Sequence, residues 1–429
     1  MRFSRLSDWL AWQERLHPNA IDLGLERLRR TLGRLRWQPP QCPVITVSGT
    51  NGKGSTVALL ARILTEAGYR VGTFTSPHLI RYNERIRIAE REVSDASIMA
   101  AFERIDAARG DDTLTFFEFN ALAALLIFET AGLDALVLEV GMGGRLDAVN
   151  VVDADVAIIT SVALDHCEWL GTDREAIGAE KAGVLRPGRA GIFGARDIPQ
   201  SIEHAAATLG TPLQRLGREF DWQRTSQGWT WRGGHEVLED LPLPALAGEV
   251  QLDNAASVLA CLSSLRARLN VPRSAIEAGL TSVTLPGRFQ RIEHGTEWIL
   301  DVAHNPAAAG TLARSLAALE PRRPCIAVCG VLGDKDLANI YAELQASFDG
   351  WIAVGLAGPR ALSADALAMH LRTLGAKVVA ECADVTSGCE RALSLAGREG
   401  RVVVFGSFLT VGPALEWLAR VQANAGHCG

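Results

Sequence analysis

The residues best suited to chemistry lie at 47–55, Val-Ser-Gly-Thr-Asn-Gly-Lys-Gly-Ser. An apolar run at 43–47 leads into them as a buried strand, and 56–64 comes next with helical spacing. Strand, glycine-rich turn and helix form the layout of a phosphate-binding loop. Gly49, Gly52 and Gly54 let backbone N–H groups approach an anion, and the helix aims its N-terminus at the same point. Lys53 adds a mobile positive charge for the β- and γ-phosphates. The stretch departs from the usual Walker pattern: Val47 stands where a glycine is usual, Gly54 comes directly after the lysine, and the hydroxyl comes one place later at Ser55. A plain glycine turn is the alternative, but lysine, hydroxyl and context together favour nucleotide binding. The shifted hydroxyl means that this loop alone need not supply the magnesium ligands.

Three further candidates end or succeed apolar strands. The run 70–75 leads to Ser76, 133–140 delivers Glu139, and 154–162 leads to His166. In parallel sheets, ligands bind beyond the carboxyl ends of the strands. Taken singly, Ser76 reads equally as a turn cap, Glu139 as an arginine partner and His166 as a satisfied loop residue. Their shared rim is what points to function. Arg81, Arg85 and Arg87 form either a solvated strand face or a holder for carboxylates. A hydroxyl and a carboxylate suit a hard cation. The residues thus lead to Mg-ATP and to an ATP-dependent transferase or ligase, and no further.

These groups need a scaffold. The 429 residues predict two domains, perhaps three. Strands alternate with helices, so the class is α/β with a largely parallel, doubly covered sheet. Residues 1–36 read as helical, with Trp9, Leu10, Trp12 and Leu16 on one face, and Asp22 as a cap for the helix after it. Residues 189–245, with Trp222, Trp229 and Trp231 among glycines, read as a small β-meander. A helix over 251–269 starts near Asn254. The turn at 285–289 marks a domain boundary, and strands at 298–302, 325–331, 351–354, 377–380 and 401–405 build a second, smaller α/β domain. A net charge of −6 argues against nucleic-acid binding. The eight cysteines contain no CxxC and read as reduced thiols. No signal peptide is visible, and the apolar run 121–128 is too short for a bilayer; the expectation is a cytoplasmic protein.

Taken together, GTNGKGS (49–55), SPHL (76–79), LEVGMGGRLDA (138–148), LDH (164–166), EKAG (180–183), PGRF (286–289) and DVAHNP (301–306) resemble the Mur ligase superfamily. Within it the chain is similar to the bifunctional dihydrofolate synthase/folylpolyglutamate synthase family, from IDLGLER at 21 to VFGSF at 404. The resemblance implies a P-loop ATP-binding and pterin-binding domain over 1–287, with a small β appendage, and a Rossmann-like glutamate ligase domain over 288–429. It implies that Thr50, Asn51, Gly52, Lys53, Gly54 and Ser55 cradle ATP with Asn254, Arg288 and Asp301, and that Ser76, Glu139 and His166 ligate Mg²⁺, with two ions in all. Asp22, Leu23, Gly24 and Leu25, Thr115, Phe116, Phe117 and Glu118, and Leu146, Asp147 and Ala148 match pterin- and folate-binding segments. Lys181 matches a carbamylated lysine and counts with Lys53 and His304 among catalytic candidates, though His304 has no defined role. An ordinary surface Glu180/Lys181 pair is the alternative for Lys181. Leu409 departs from the family, whose members often carry His there.

The implied reaction activates a carboxylate of dihydropteroate or of a reduced folate with ATP, and the amine of L-glutamate then attacks the acyl phosphate. The dihydropteroate-type segments favour both activities over polyglutamate synthesis alone. A peptidoglycan-type amino-acid ligase is disfavoured, because only 48 residues precede Gly49, too few for the UDP-sugar domain usual there. A non-catalytic nucleotide-binding regulator is disfavoured by the number of metal and phosphate ligands. No nucleic-acid or membrane partner is expected, and a monomer is.

Overall fold

The structure is a computed structural model that describes residues 2–358 and 360–425; Cys428 lies outside them. The chain divides into two compact units. The first comprises Met1–His78, Tyr82–Ala245 and Gln251–Val283, and the second Leu79–Arg81, Leu246–Val250 and Thr284–Gly429.

The first unit is built on an eight-stranded sheet: β1 (Val44–Ser48), β2 (Val71–Phe74), β3 (Ile86–Ile88), β4 (Arg91–Glu92), β5 (Ala135–Glu139), β6 (Val156–Ile159), β7 (Ala190–Phe193) and β8 (Leu213–Arg215). Their spatial order is β4-β3-β2-β5-β1-β6-β7-β8. Strands β2, β5, β1, β6, β7 and β8 are parallel, while β3 and β4 run antiparallel at one edge. Every residue of β1 and β5 is buried, as expected of central strands covered on both faces. Register levels their carboxyl ends: Val47 pairs with Glu139, Ser48 with Ile159, and Phe74 with Leu138. The phosphate loop, Glu139 and the turn at Ser76 therefore leave one rim side by side.

The N-terminal helical reading holds only in part. Helix α1 (Leu6–Gln13) buries Trp9, and α2 (Glu26–Leu35) buries Leu28 and Leu32, but 14–25 between them is not helical. Pro18 lies in that break and disfavours helical backbone at His17. Asp22 does not cap α2, whose N-cap is Leu25 without a side-chain cap. Helix α3 (Lys53–Glu66) comes after β1, and α4 (Asp95–Arg109) and α5 (Phe116–Glu129) precede β5. A short α6 (Cys167–Leu170) and α7 (Arg174–Ala182) come after β6; α8 (Gln200–Leu209) joins β7 to β8, and α9 (Val250–Ser264) comes after the meander. The meander is smaller than 189–245. Only β9 (Phe220–Arg224), β10 (Trp229–Gly233) and β11 (Glu236–Leu241) form it, because β7 and β8 extend the main sheet.

The second unit carries a six-stranded sheet of β12 (Gln290–His294), β13 (Thr296–Asp301), β14 (Cys325–Cys329), β15 (Gly350–Val354), β16 (Val378–Cys382) and β17 (Arg401–Phe405), in the order β12-β13-β17-β14-β15-β16. Strand β12, which the sequence pattern does not show, pairs antiparallel with β13 across Gly295 at φ 73°. Its polar residues mask the strand pattern. The seven described cysteines are free thiols. Among the described residues no helix is long and apolar enough to cross a membrane.

One buried charge ties three strands of this sheet together. The Glu297 side chain on β13 is fully buried and meets Arg401 of β17 at 2.5 Å and Arg291 of β12 at 2.6 Å. Burial would raise its pKa, but the two guanidinium groups outweigh burial and hold it below the usual carboxylate value. A group whose pKa is lowered on folding stabilises the fold above its unfolded pKa and loses that contribution as pH falls through the folded value. Glu297→Ala leaves a buried arginine unpaired and is expected to cost about 3–5 kcal/mol in chemical denaturation near neutral pH. The deficit should shrink as pH falls below the ordinary glutamate range toward the lowered folded value, where the wild-type carboxylate protonates.

Candidate active site

The phosphate loop is shaped by its neighbour β6. Gly49 has φ 144°, and a Cβ there would lie 1.9 Å from Thr160 Oγ1. That hydroxyl donates to the carbonyls of Asn51 (2.6 Å) and Ser48 (3.2 Å). The Thr50 N–H donates to the Ser161 carbonyl at 2.9 Å, and the Asn51 N–H to Ser161 Oγ at 3.1 Å. Gly52 turns the chain into α3 with φ 88°, and a Cβ there would meet Asn254 Oδ1 at 2.7 Å. The fold thus brings Asn254 on α9 against the loop from far along the sequence. Lys53 Nζ donates to the carbonyls of Gly49 (3.0 Å) and Thr50 (3.2 Å), folded over its own loop. Ser55 is buried in the first turn of α3.

Along the rim, the Ser76 N–H donates to Glu139 Oε2 at 3.2 Å. The adjacent hydroxyl and buried carboxylate are hard oxygen donors that suit a divalent cation completed by phosphate oxygens and water. Among the described residues no three His, Cys, Asp or Glu side chains converge as a metal site. His166 sits half-buried at the N-cap of α6 with left-handed backbone, φ 53°. Lys181 is buried on α7. Glu180 beside it pairs with Arg145 at 2.8 Å, so the surface Glu180/Lys181 pair does not form. Burial, then the charge of Lys53, lower the Lys181 pKa to about 7 against the pull of Asp165 and Asp147. Asp147, also buried, is pushed up to about 6 by burial, despite the N–H groups of Met142, Val149 and Gly141 and the charge of Lys53. Its carboxylate accepts from Met142 N (2.9 Å) and Val149 N (3.1 Å), which shapes the 141–148 loop. Ala148 is buried there, and Leu146 is half-buried.

Two of the pterin-type segments are joined by a residue that sequence reasoning does not single out. Arg27 donates to Asp22 Oδ2 (2.6 Å), to the Asp22 carbonyl (2.9 Å) and to Glu118 Oε1 (3.0 and 3.2 Å). Glu118 Oε2 accepts from the Thr115 N–H at 2.8 Å, closing a capping box on α5. Both Glu118 oxygens are therefore engaged in holding 21–25 against the start of α5. No local sequence signal marks Arg27, because its partner Glu118 is 91 residues away. Leu23 and Gly24 are half-buried, and Leu25 is buried. Phe117 packs against Phe74 at 5.8 Å, and a Cβ on Gly141 would lie 2.6 Å from its ring.

Phe116 shares Arg85 with Tyr82. The guanidinium carbon lies 5.6 Å from the Phe116 ring centroid and 5.8 Å from that of Tyr82, and Nε donates to His78 Nδ1 at 2.9 Å. Burial, then Arg85, lower the His78 pKa to about 4, so the ring is neutral near pH 7.

The remaining candidates belong to the second unit. Asp301 accepts from the Phe289 and Ala303 N–H groups, each at 2.8 Å, and burial raises its pKa despite Arg288. Arg288 lies 5.1 Å from the centre of the Phe408 ring, whose other neighbour is His304 at 6.4 Å. His304 Nδ1 contacts the Val302 carbonyl at 2.8 Å. Leu409 is exposed.

Known proteins match this chain over nearly its whole length. The family model for the Mur ligase middle domain matches residues 47–193, and that for the Mur ligase glutamate ligase domain matches 287–408. A dihydrofolate synthase/folylpolyglutamate synthase of Escherichia coli is 44% identical over 96% of this chain and 95% of its own. The structure of E. coli FolC in complex with DHPP and ADP superposes with a TM-score of 0.91 at 44% identity, covering 98% of this chain and 99% of that one. A bifunctional folylpolyglutamate synthase/dihydrofolate synthase with Mn, AMPPNP and L-glutamate bound gives 0.89 at 45% identity over 97% and 98% of the two chains.

The loop geometry makes a sharp expectation. Gly52→Ala forces a Cβ onto Asn254 and a side chain into a left-handed backbone. Calorimetric titration with ADP should show affinity reduced by about tenfold or more, since that strain costs about 1–3 kcal/mol. Asn254→Ala in the same background, which clears the space, should recover part of the loss.

Proposed function

The chain belongs to the dihydrofolate synthase/folylpolyglutamate synthase family of Mur ligases, and from this premise we propose the roles of its residues. The protein is an ATP-dependent ligase that joins L-glutamate to dihydropteroate and to the γ-carboxyl of folates. The full-length match to FolC solved with DHPP and ADP carries this reading.

A carboxylate resists an amine because its leaving group would be an oxide. The acceptor carboxylate therefore takes the γ-phosphoryl group of ATP, giving an acyl phosphate and ADP. The free amine of L-glutamate attacks the acyl carbon, and the tetrahedral adduct expels phosphate to leave the amide. Thr50, Asn51, Gly52, Gly54 and Ser55 line the phosphate site; Ser161 holds the Thr50 and Asn51 amides in place, the amides of Gly52, Gly54 and Ser55 serve the phosphates, and Asn254 buttresses the turn. Lys53 turns from its loop carbonyls to the phosphates and meets the negative charge that develops on transfer. Ser76, Glu139 and His166 would hold a divalent metal, which lowers the phosphates' repulsion toward the incoming carboxylate. Asp22–Leu25, Thr115–Glu118 and Leu146–Ala148 form the pterin seat, with Glu118 and Asp147 shaping it from beneath. Arg288 and Asp301 are assigned to ATP binding, and His304 counts among the catalytic candidates.

Lys181 receives a carbamate in this reading. Its amine is substantially neutral near pH 7 and so able to attack CO₂, releasing one proton. The product replaces a buried cation beside Lys53 with a carboxylate that can support a second metal. The protein acts as a cytoplasmic monomer.

Purified protein with Mg-ATP and L-glutamate should release phosphate with dihydropteroate and, separately, with a reduced folate monoglutamate. Release with the folate alone would restrict the protein to polyglutamate synthesis. Because both acceptors use one ATP site, Lys53→Ala should lower both activities by about 10²–10³-fold or more; loss of only one would refute the shared site. In ¹³C-bicarbonate, NMR should show a protein-bound carbamate at pH 8 that weakens below pH 7 and is missing in Lys181→Arg.

A further inference from the structure

Arg85 is the buried cation of the first unit that the roles above leave unused. It sits just before β3, with 7% of its surface exposed. Taking a guanidinium out of water costs several kcal/mol unless its donors find partners. Among the described residues the side chain forms no ion pair, and its one hydrogen bond runs from Nε to a neutral nitrogen of His78. The rings of Tyr82 and Phe116 border the guanidinium and fix it. Its terminal nitrogens are not sealed away. Among the described residues, the fully buried side-chain atoms that lack partners lie elsewhere, on Gln13, Thr46, Thr65, Arg87, Asn120 and Ser201. A charged fork held at its stem and reachable at its tip is built to receive an anion, and a guanidinium matches a carboxylate with two parallel bonds.

Sheet order says which anion. Along the rim the strands run β3-β2-β5-β1-β6. The phosphate loop leaves β1, Glu139 ends β5, Ser76 lies just past β2, and Arg85 precedes β3. Arg85 thus lies beyond Ser76 and Glu139, on the side away from the phosphate loop, three strand spacings or about 14 Å across the sheet from β1. In-line phosphoryl transfer puts attacking and leaving oxygens on opposite sides of the transferred group. ADP departs on the loop side, so the attacking oxygen belongs on the Arg85 side. Phe116, which lines Arg85, belongs to the acceptor-binding segment.

We propose that Arg85 is a catalytic residue that binds the acceptor carboxylate and aims one of its oxygens at the γ-phosphorus. The inference rests on the ligase reading above. The guanidinium stays protonated throughout; it neutralises the entering carboxylate and leaves one oxygen free to attack.

The test uses full-length Arg85→Lys and Arg85→Ala, with kcat and KM for dihydropteroate and for a reduced folate, ADP affinity by calorimetry, and thermal unfolding. Arg85→Lys keeps the charge and loses the fork. It should lose about 10²–10³-fold in kcat/KM for both acceptors while binding ADP within about twofold of wild type. Added guanidinium should restore part of the Arg85→Ala activity. If Arg85→Ala does not fold, Arg85→Lys decides alone. Wild-type kcat/KM in Arg85→Lys overturns the proposal, as does a loss matched by equal losses of ADP affinity and melting temperature, which would mark a structural role. A wild type without acceptor-dependent phosphate release overturns the ligase reading and this proposal with it; an active wild type with an unimpaired Arg85→Lys overturns this proposal alone.

Discussion

The close approach of Thr160 to Gly49 is the constraint on which the rest of the first unit depends. No side chain fits at 49, because the Thr160 hydroxyl occupies the place of a Cβ and bridges the carbonyls of Ser48 and Asn51. A strand far from the loop in sequence, not the loop itself, thus sets the curvature of the phosphate cradle. With Ser161 taking the Thr50 N–H, the cradle is organised before any nucleotide arrives. The entropy of ordering it is met during folding rather than binding, which is what preorganisation contributes to affinity and rate.

A second close approach fixes the electrostatics. Gly144 lies against α7, where a Cβ would come within 3.1 Å of Lys181 Cα and 2.9 Å of its carbonyl. The 141–148 loop can therefore lie directly on the helix, with Arg145 and Glu180 closing the outside. This packing covers Lys181 and leaves Asp147 buried on its other flank. A lysine so enclosed near another lysine has a depressed pKa, and a carboxylate so enclosed has a raised one. The opposite shifts of Lys181 and Asp147 arise from one burial event. Opposed shifts of this kind are what reactive sites are built to produce, and they are the reason the loop is proposed as part of one.

Legibility in the sequence tracked range. The phosphate loop, the helix after it and the strands ending at Glu139 and near His166 are local patterns, readable from glycine placement and apolar runs. The rim on which Ser76, Glu139 and the loop meet came from the parallel-sheet rule alone, and the observed register agrees with it. Partners set by distant contacts were not readable. Asp22 has the composition of a cap, yet it is turned to Arg27, which Glu118 holds in place. Lys181 next to Glu180 has the look of a surface pair, yet tertiary packing buries one and turns the other to Arg145. Strand β12 hides because its residues are mostly polar and its pairing is at an edge. In each case the deciding partner is remote in sequence or the periodicity is too short to register.

Charge along the rim also bears on stability. Arg85 is a buried cation of this unit, Lys181 is a buried amine whose pKa is lowered to about 7, and Lys53 stands over its own loop. Asp147, one of the carboxylates acting on Lys181, is itself pushed toward neutrality by burial. The fold alone therefore gathers positive charge in this region at a desolvation cost. Substrates of the reaction are anionic at every station: a triphosphate, a carboxylate, and then an acyl phosphate. Each neutralises charge that the fold alone leaves only partly compensated, and a ligand that binds only the folded state stabilises it in proportion to its saturation. The residues that make the site reactive are thus also those that lower the stability of the unliganded unit. A carbamate on Lys181 works in the same direction, converting this lysine from a repelling neighbour of Lys53 into an attracting one. The charge that costs the local fold stability is the same charge that directs anions to their places.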